Sequence, residues 1–298
     1  MRIFGEVPSI DFMSKRKLCL LASLILILIG GFSLISKGGP DLGVEFTGGV
    51  LIELRFKEAP SLSRVRSALA RLGLADSQVQ QFGEPREVLL RLRPQSEVGR
   101  IDQAVIGSLE REFVKGSFEI RRVEAIGPAV SRDLMKKALY AVSFALVAIL
   151  VYIGFRFRFV WGLAGVIALL HDLMVTIGIF SLAGREWSLP VVAAFLTIAG
   201  YSINDTIVVF DRVRENLRLK HKDSLESIIN LSINQTLSRT FITSGTTLMM
   251  TLALLWWGGE VLKDFALALL IGVLVGTYSS VFIAAPIVVT WYRKGKRV

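Results

Sequence analysis

Apolar and polar positions alternate along this chain on the scale of whole helices. Five long runs carry little or no charge, and a sixth, at 160–183, holds His171-Asp172 near its middle. The first run, 18–36, would span about 28 Å as a helix, the thickness of a bilayer core. The others fall at 138–155, 189–210, 241–257 (with a helix start as early as Leu231) and 265–292. The last is long enough to cross with a tilt. The pattern predicts six transmembrane helices. A cleaved signal peptide also starts with basic residues, but its apolar region is shorter and a small-x-small site follows. Here the run exits into Lys37-Gly38-Gly39-Pro40. The expectation is therefore an uncleaved first span behind a cytoplasmic N-terminus at 1–17.

Between the first two spans the period changes. Residues 50–56 alternate as a strand does, and 61–72 have helical spacing, with Ser61 as a cap and Gly73 as a stop. Residues 78–82 and 87–92 read as strands divided by a Gly83-Glu84-Pro85 turn, 97–114 as a helix and 118–123 as a strand. The order β-α-β-β-α-β predicts a small α+β ferredoxin-like domain over 37–136, inserted and exposed between helices 1 and 2. Residues 137–298 then hold the second to sixth spans, with a cytoplasmic amphipathic segment at 211–231.

Composition sharpens this picture. The chain is 52% hydrophobic, with a mean hydropathy of +0.56, as an integral membrane protein should be. A net charge of +10 suggests nucleic acid until it is mapped. From Lys37 to Val130 there are 14 Lys/Arg against 13 Asp/Glu, a net of +1, so the excess flanks the spans. Basic clusters at 15–17, 156–158, 212–222 and 293–297 fall on one side if there are six crossings, which is the positive-inside rule. Both termini are thus expected in the cytoplasm, with membrane lipid and no nucleic acid as a partner. Cys19 is the only cysteine, and the two histidines are far apart, so neither a disulfide framework nor a metal site is expected. There is no G-x-x-x-x-G-K-[ST] loop. No cofactor and no enzymatic activity are expected, and energy would come from a gradient or a partner.

The chemistry concentrates on the fourth and fifth spans. A carboxylate near the centre of a spanning helix costs about 2.5–3.5 kcal/mol to insert, and such a residue raises a functional hypothesis. Thr197, Tyr201 and Asp205 recur every four residues on one helix face, with Ser202 and Asn204 beside them. On the fifth span Ser232, Gln235, Thr236, Arg239, Thr243, Thr246 and Thr247 make a polar stripe. Asp205 and Arg239 lie at similar depth on consecutive antiparallel helices. One reading is a structural ion pair that locks the two helices together. The other is an acid that alternates between a paired and a protonated state, with Tyr201, Asn204 and Thr243 along the proton path. Burial disfavours the charge and a neighbouring arginine favours it. His171 and Asp172 are relay candidates, although adjacent residues point about 100° apart and do not face one partner. Gly272 and Gly276 suit close helix contact.

Several segments resemble the SecF branch of the SecD/SecF protein-export family. They are Gly43-Val44-Glu45-Phe46-Thr47-Gly48-Gly49, Val123-Glu124-Ala125-Ile126-Gly127-Pro128, Phe155-Arg156-Phe157-Arg158, His171-Asp172, Gly200-Tyr201-Ser202-Ile203-Asn204-Asp205, Asp211-Arg212-Val213-Arg214-Glu215-Asn216 and Asn234-Gln235-Thr236-Leu237-Ser238-Arg239-Thr240. Glu45 stands where the family pattern has Asp. The resemblance implies half of a resistance-nodulation-division (RND) type transporter in the bacterial inner membrane, with the domain at 37–136 in the periplasm. It also implies pairing with SecD, assistance to the SecYEG channel with SecA and YajC as associates, and proton-driven movement of translocating preproteins. Its proton-path acid and arginine map onto Asp205 and Arg239. The alternative is half of a proton-coupled RND-type small-molecule or lipid exporter. The small insert argues against that reading, and the residues alone leave H⁺ and Na⁺ open.

Overall fold

The computed structural model describes residues 7–75, 77–82, 84–92, 98–114, 116–157, 159–220 and 223–293. Gly83, Glu97, Arg158, His221, Lys222 and residues 294–297 lie outside the described residues. The chain divides into two compact units, one of residues 1–41 with 141–298 and the other of residues 42–140.

The small unit starts with α2 (Val44–Thr47), a single turn absent from the sequence expectations. The strands β1 (Gly49–Phe56), β2 (Gln78–Phe82), β3 (Glu84–Leu92) and β4 (Phe118–Ile126) enclose the helices α3 (Leu62–Ala70) and α4 (Val98–Glu112). The sheet order is β2-β3-β1-β4, antiparallel throughout, which is the expected ferredoxin-like arrangement. Alternation sets which face is buried. Val50, Ile52, Leu54 and Phe56 pack with Val88, Leu90 and Leu92 against Val65, Leu69, Val105 and Leu109. Ser61 does occupy the N-cap of α3, but its hydroxyl bonds to Ser63 Oγ at 2.7 Å and not to the backbone.

The glycine pair after α2 has a geometric cause. Gly48 sits at φ 74°, where an L side chain is strained. A Cβ there would also lie 3.2 Å from Ser131 Oγ and 3.3 Å from the carbonyl oxygen of Ile126. The signature thus lets the chain turn from α2 into β1 beside the end of β4.

The other unit is built of long helices. After a 3₁₀ turn at Met13–Lys15 come α1 (Arg16–Ser36), α5 (Pro128–Arg156), α6 (Phe159–Leu182), α7 (Leu189–Leu219) and α8 (Leu225–Trp257). The last span is α9 (Gly259–Ser279), a π-helical turn at Ser280–Ala284, and α10 (Ala285–Arg293). Among the described residues six segments are long and apolar enough to cross a membrane, the expected number. Pro286 explains the π turn: it lacks the N–H that would bond to the carbonyl of Phe282, and its ring crowds that group. Of the expected segment at 211–231, residues 211–219 continue α7 and 225–231 open α8, which is capped by Ser224 Oγ at 3.2 Å from the Ser227 N–H.

The helices α6, α7 and α9 form the interior of this unit, while α1, α5 and α8 expose most of their apolar side chains. Gly30 and Gly178 let α1 and α6 touch backbone to backbone; a Cβ on Gly178 would lie 2.9 Å from the Cα of Gly30. Next to that contact, the Ser33 and Ser181 hydroxyls bond at 2.9 Å. Gly272 and Gly276 face Ile198 and Ser202 of α7, the close contact their spacing predicts.

Candidate functional site

Asp205 lies inside the unit, 4% exposed, and its buried Oδ2 has no hydrogen-bond partner. Two sets of bonds between α7 and α8 fix its level. Toward the helix ends, Arg212 Nε donates to Gln235 Oε1 at 2.6 Å, and Asn216 Nδ2 donates to Ser232 Oγ and Gln235 Oε1, both at 2.8 Å. Further along, Tyr201 Oη donates to Ser244 Oγ at 3.1 Å, and Ser244 Oγ meets Thr277 Oγ1 of α9 at 2.8 Å. Asp205 falls between Tyr201 and Arg212 on one helix, and Arg239 falls between Gln235 and Ser244 on the other. The similar depth read from the sequence is therefore what the helix pairing gives.

Facing, however, differs. Asp205 points into the unit and Arg239 is exposed on its surface. The guanidinium and the carboxylate form no ion pair within 4.0 Å. Asn204 and Thr197 are also exposed, and Tyr201 is half-buried. The row of every fourth residue on α7 thus winds from the surface inward. The Thr243 hydroxyl donates to the carbonyls of Arg239 and Thr240, each at 3.1 Å, and not to Asp205.

His171 and Asp172 form a second buried centre. Asp172 is 0% exposed, and its carboxylate meets His171 Nδ1 at 2.9 Å, Ser279 Oγ at 2.7 Å and the Ser202 hydroxyl. These partners come from α6, α9 and α7. The ring of His171 stacks at 6.2 Å on Tyr278, whose hydroxyl donates to the carbonyl of Cys19 at 2.7 Å. As the 100° spacing requires, the two residues address different neighbours. They nevertheless bond to each other, which the spacing alone does not suggest.

Ser279 and Tyr278 were not among the sequence candidates. A lone hydroxyl in an apolar run has no periodic signal, and only the position of Ser279 next to Asp172 marks it. Asn230 carries no such signal either, and Asn234 is marked only by its place in the family-like segment 234–240. Asn230 Oδ1 accepts the N–H groups of Phe12 and Met13, both at 3.0 Å. Asn234 exchanges two bonds with the main chain of Ile10, at 3.1 and 2.8 Å. The signature residues Glu45, Phe46, Thr47, Gly48 and Gly49 belong to the small unit, where Phe46 is buried, Glu45 half-buried, and Thr47 Oγ1 donates to the carbonyl of Gly43 at 3.1 Å.

Residues 105–294 match the family described as "Protein export membrane protein SecD/SecF, C-terminal", and residues 32–60 match the "SecD/SecF GG Motif". The chain is 47% identical over 291 residues to the protein translocase subunit SecF of Desulfurispirillum indicum, covering 95% of this chain and 91% of that one. Identity to the SecF of Magnetococcus marinus is 45% over 292 residues, covering 97% and 94%. Among solved structures, SecDF of Thermus thermophilus, described as a translocon-associated membrane protein, superposes with a TM-score of 0.87 at 39% identity. That match covers 98% of this chain and 40% of the SecDF chain. A SecDF structure in a "super-membrane-facing form" gives a TM-score of 0.72 at 38% identity, covering 99% and 40%.

Proposed function

The chain belongs to the SecF family of protein translocase subunits, and from that premise we propose that it uses the proton-motive force to assist late steps of protein export, with Asp205 as the group that takes up and releases the proton. In this reading it lies in the bacterial inner membrane with both termini in the cytoplasm and the small unit in the periplasm. It pairs with a SecD subunit and serves the SecYEG channel, with SecA and YajC as associates and preproteins as cargo.

The observation that carries the proposal is Asp205 itself: a buried carboxylate with an unpartnered oxygen, one helix away from an arginine at its own level that it does not touch. A structural ion pair needs contact, whereas an acid that alternates between two states needs a partner within reach and not yet bound. One proton crossing 100 mV releases about 2.3 kcal/mol, comparable to the cost of inserting one such carboxylate. The exposed Thr197, Asn204 and Thr246 support the pairing, since polar groups at membrane depth favour a protein neighbour over lipid.

The test is reconstitution with SecD and the translocon in vesicles, followed by late-stage release of a secreted protein with and without a gradient. Asp205→Asn is expected to release at the same rate in both conditions. Full gradient stimulation in that variant would overturn the proposal.

A further inference from the structure

Asp205 and Arg239 share a level but not a direction, and something must hold α7 in the orientation that keeps them apart. Opposite charges in a medium of low dielectric attract strongly, and Asp205 Oδ2 has an open hydrogen-bonding position. A modest turn of α7 about its axis would bring the carboxylate outward, toward the guanidinium. The side chain that resists this turn is Ser202, three residues before Asp205 and 1% exposed.

Two contacts fix Ser202. Its hydroxyl donates to Asp172 Oδ2, which also accepts from Ser279 Oγ at 2.7 Å, while Asp172 Oδ1 meets His171 Nδ1 at 2.9 Å. Behind it the backbone of Gly276 comes so close that a Cβ there would lie 3.0 Å from Ser202 Cβ. Asp172 is thus bonded to α7 and α9 at once and to its own neighbour on α6. It is fully buried, and each of its oxygens has a partner. Around this junction stand His171 of α6, whose ring packs on Tyr278 of α9, Tyr201 of α7, whose hydroxyl donates to Ser244, and Arg239 on the surface of α8.

We propose that Asp172 is a positioning residue that acts through Ser202 to hold α7 turned inward, so that Asp205 stays out of direct contact with Arg239 until the helix moves. The inference rests on the proton-binding reading of Asp205. It gives Asp172 a different role from relaying protons, because the carboxylate stays bonded to its three neighbours and hands nothing to Asp205.

The probe is a hydrophobic carbodiimide, which modifies protonated carboxyl groups. Labelling of Asp205 is measured by mass spectrometry at fixed pH in the full chain reconstituted with its SecD partner. Ser202→Ala lets α7 turn and the pair close, so labelling is expected to fall about threefold or more, the population change commanded by one lost hydrogen bond. Ser202→Thr keeps the hydroxyl and should restore labelling. In an Arg239→Met background no partner remains to close upon, and Ser202→Ala should leave labelling unchanged. A merely structural defect would lower labelling in both backgrounds. Ser279→Ala, which loosens the same carboxylate from the α9 side, is the second variant should Ser202→Ala fail to assemble. Equal labelling in wild type, Ser202→Ala and Ser279→Ala overturns the anchor and leaves the proton reading standing. An Asp205 that never labels in wild type overturns both.

Discussion

Asn230→Ala tests how the N-terminal segment is held against α8. The wild-type side chain makes three bonds there. Its Oδ1 accepts from the N–H groups of Phe12 and Met13, and its Nδ2 donates to Asp11 Oδ1 at 2.7 Å. Nearby, Asn234 grips Ile10, and Arg16 Nη1 pairs with Glu226 Oε1 at 2.7 Å. Met13 is 3% exposed, and Phe12 meets Phe282 edge-on at 6.0 Å. A net hydrogen bond is worth about 0.5–1.5 kcal/mol. Two of the three share one oxygen and water reaches the rest, so about 1–1.5 kcal/mol is the expected local loss. Local opening would then rise about five- to tenfold. Hydrogen exchange of a peptide covering residues 8–17, in the full chain in nanodiscs, measures this directly, and exchange at Phe12 and Met13 should accelerate most.

The pH dependence has a definite sign. Asp11 is held below the usual carboxylate range, first by the Asn230 amide and then by the Ser14 N–H. A lowered folded value means that its contribution is complete above the ordinary Asp value and is lost as pH falls through the lowered one. Protection of the segment in the wild type, corrected for the intrinsic exchange rate at each pH, should therefore be steady near neutrality and fall only in acid. Asn230→Asp would set two carboxylates face to face and should loosen the segment at neutral pH. Exchange in Asn230→Ala equal to wild type would show that Phe12 and Met13 hold the segment by burial alone, and the hydrogen-bond reasoning would be wrong.

Three further outcomes are expected. Gly178→Ala puts a methyl 2.9 Å from the Cα of Gly30 and should part α1 from α6 at about 1–3 kcal/mol, read as slower disulfide formation between cysteines placed at Ser33 and Ser181. Gly48→Ala forces an L side chain to φ 74° against Ser131, costing about 1–2 kcal/mol, and limited proteolysis of the full chain should cut sooner within residues 42–60. Asn216→Ala and Gln235→Ala remove the two ends of one bond, so their destabilisations should fall short of additive by about 1 kcal/mol in a double-mutant cycle.

The sequence makes legible whatever obeys a period. Hydropathy and flanking charge mark six spans, and alternation at Val50, Ile52 and Leu54 marks β1 and its buried face. Helical spacing puts Asp205 and Arg239 at one depth. Depth follows from counting residues, but direction follows from packing, which is why the outward facing of Arg239 and the self-bonded hydroxyl of Thr243 escape a reading of spacing. The junction of His171, Asp172, Ser202 and Ser279 draws on three helices, and no single stretch contains it. Asn230 and Asn234 look like the solvated face of a helix until the backbone of Ile10 to Met13 is laid upon them.

The bonds above and below the Asp205 level limit the kind of motion available. Sliding α8 along α7 by one turn, about 5.4 Å, would break the Arg212, Asn216 and Tyr201 bonds together. A torsion confined to the about three turns of α7 between Tyr201 and Arg212 needs only the Ser202 bond to Asp172 to open. A stroke at this site is therefore one of degrees, with the flanking ties as fixed bearings. Labels placed on the two helix ends should report almost no axial travel while the charges change company.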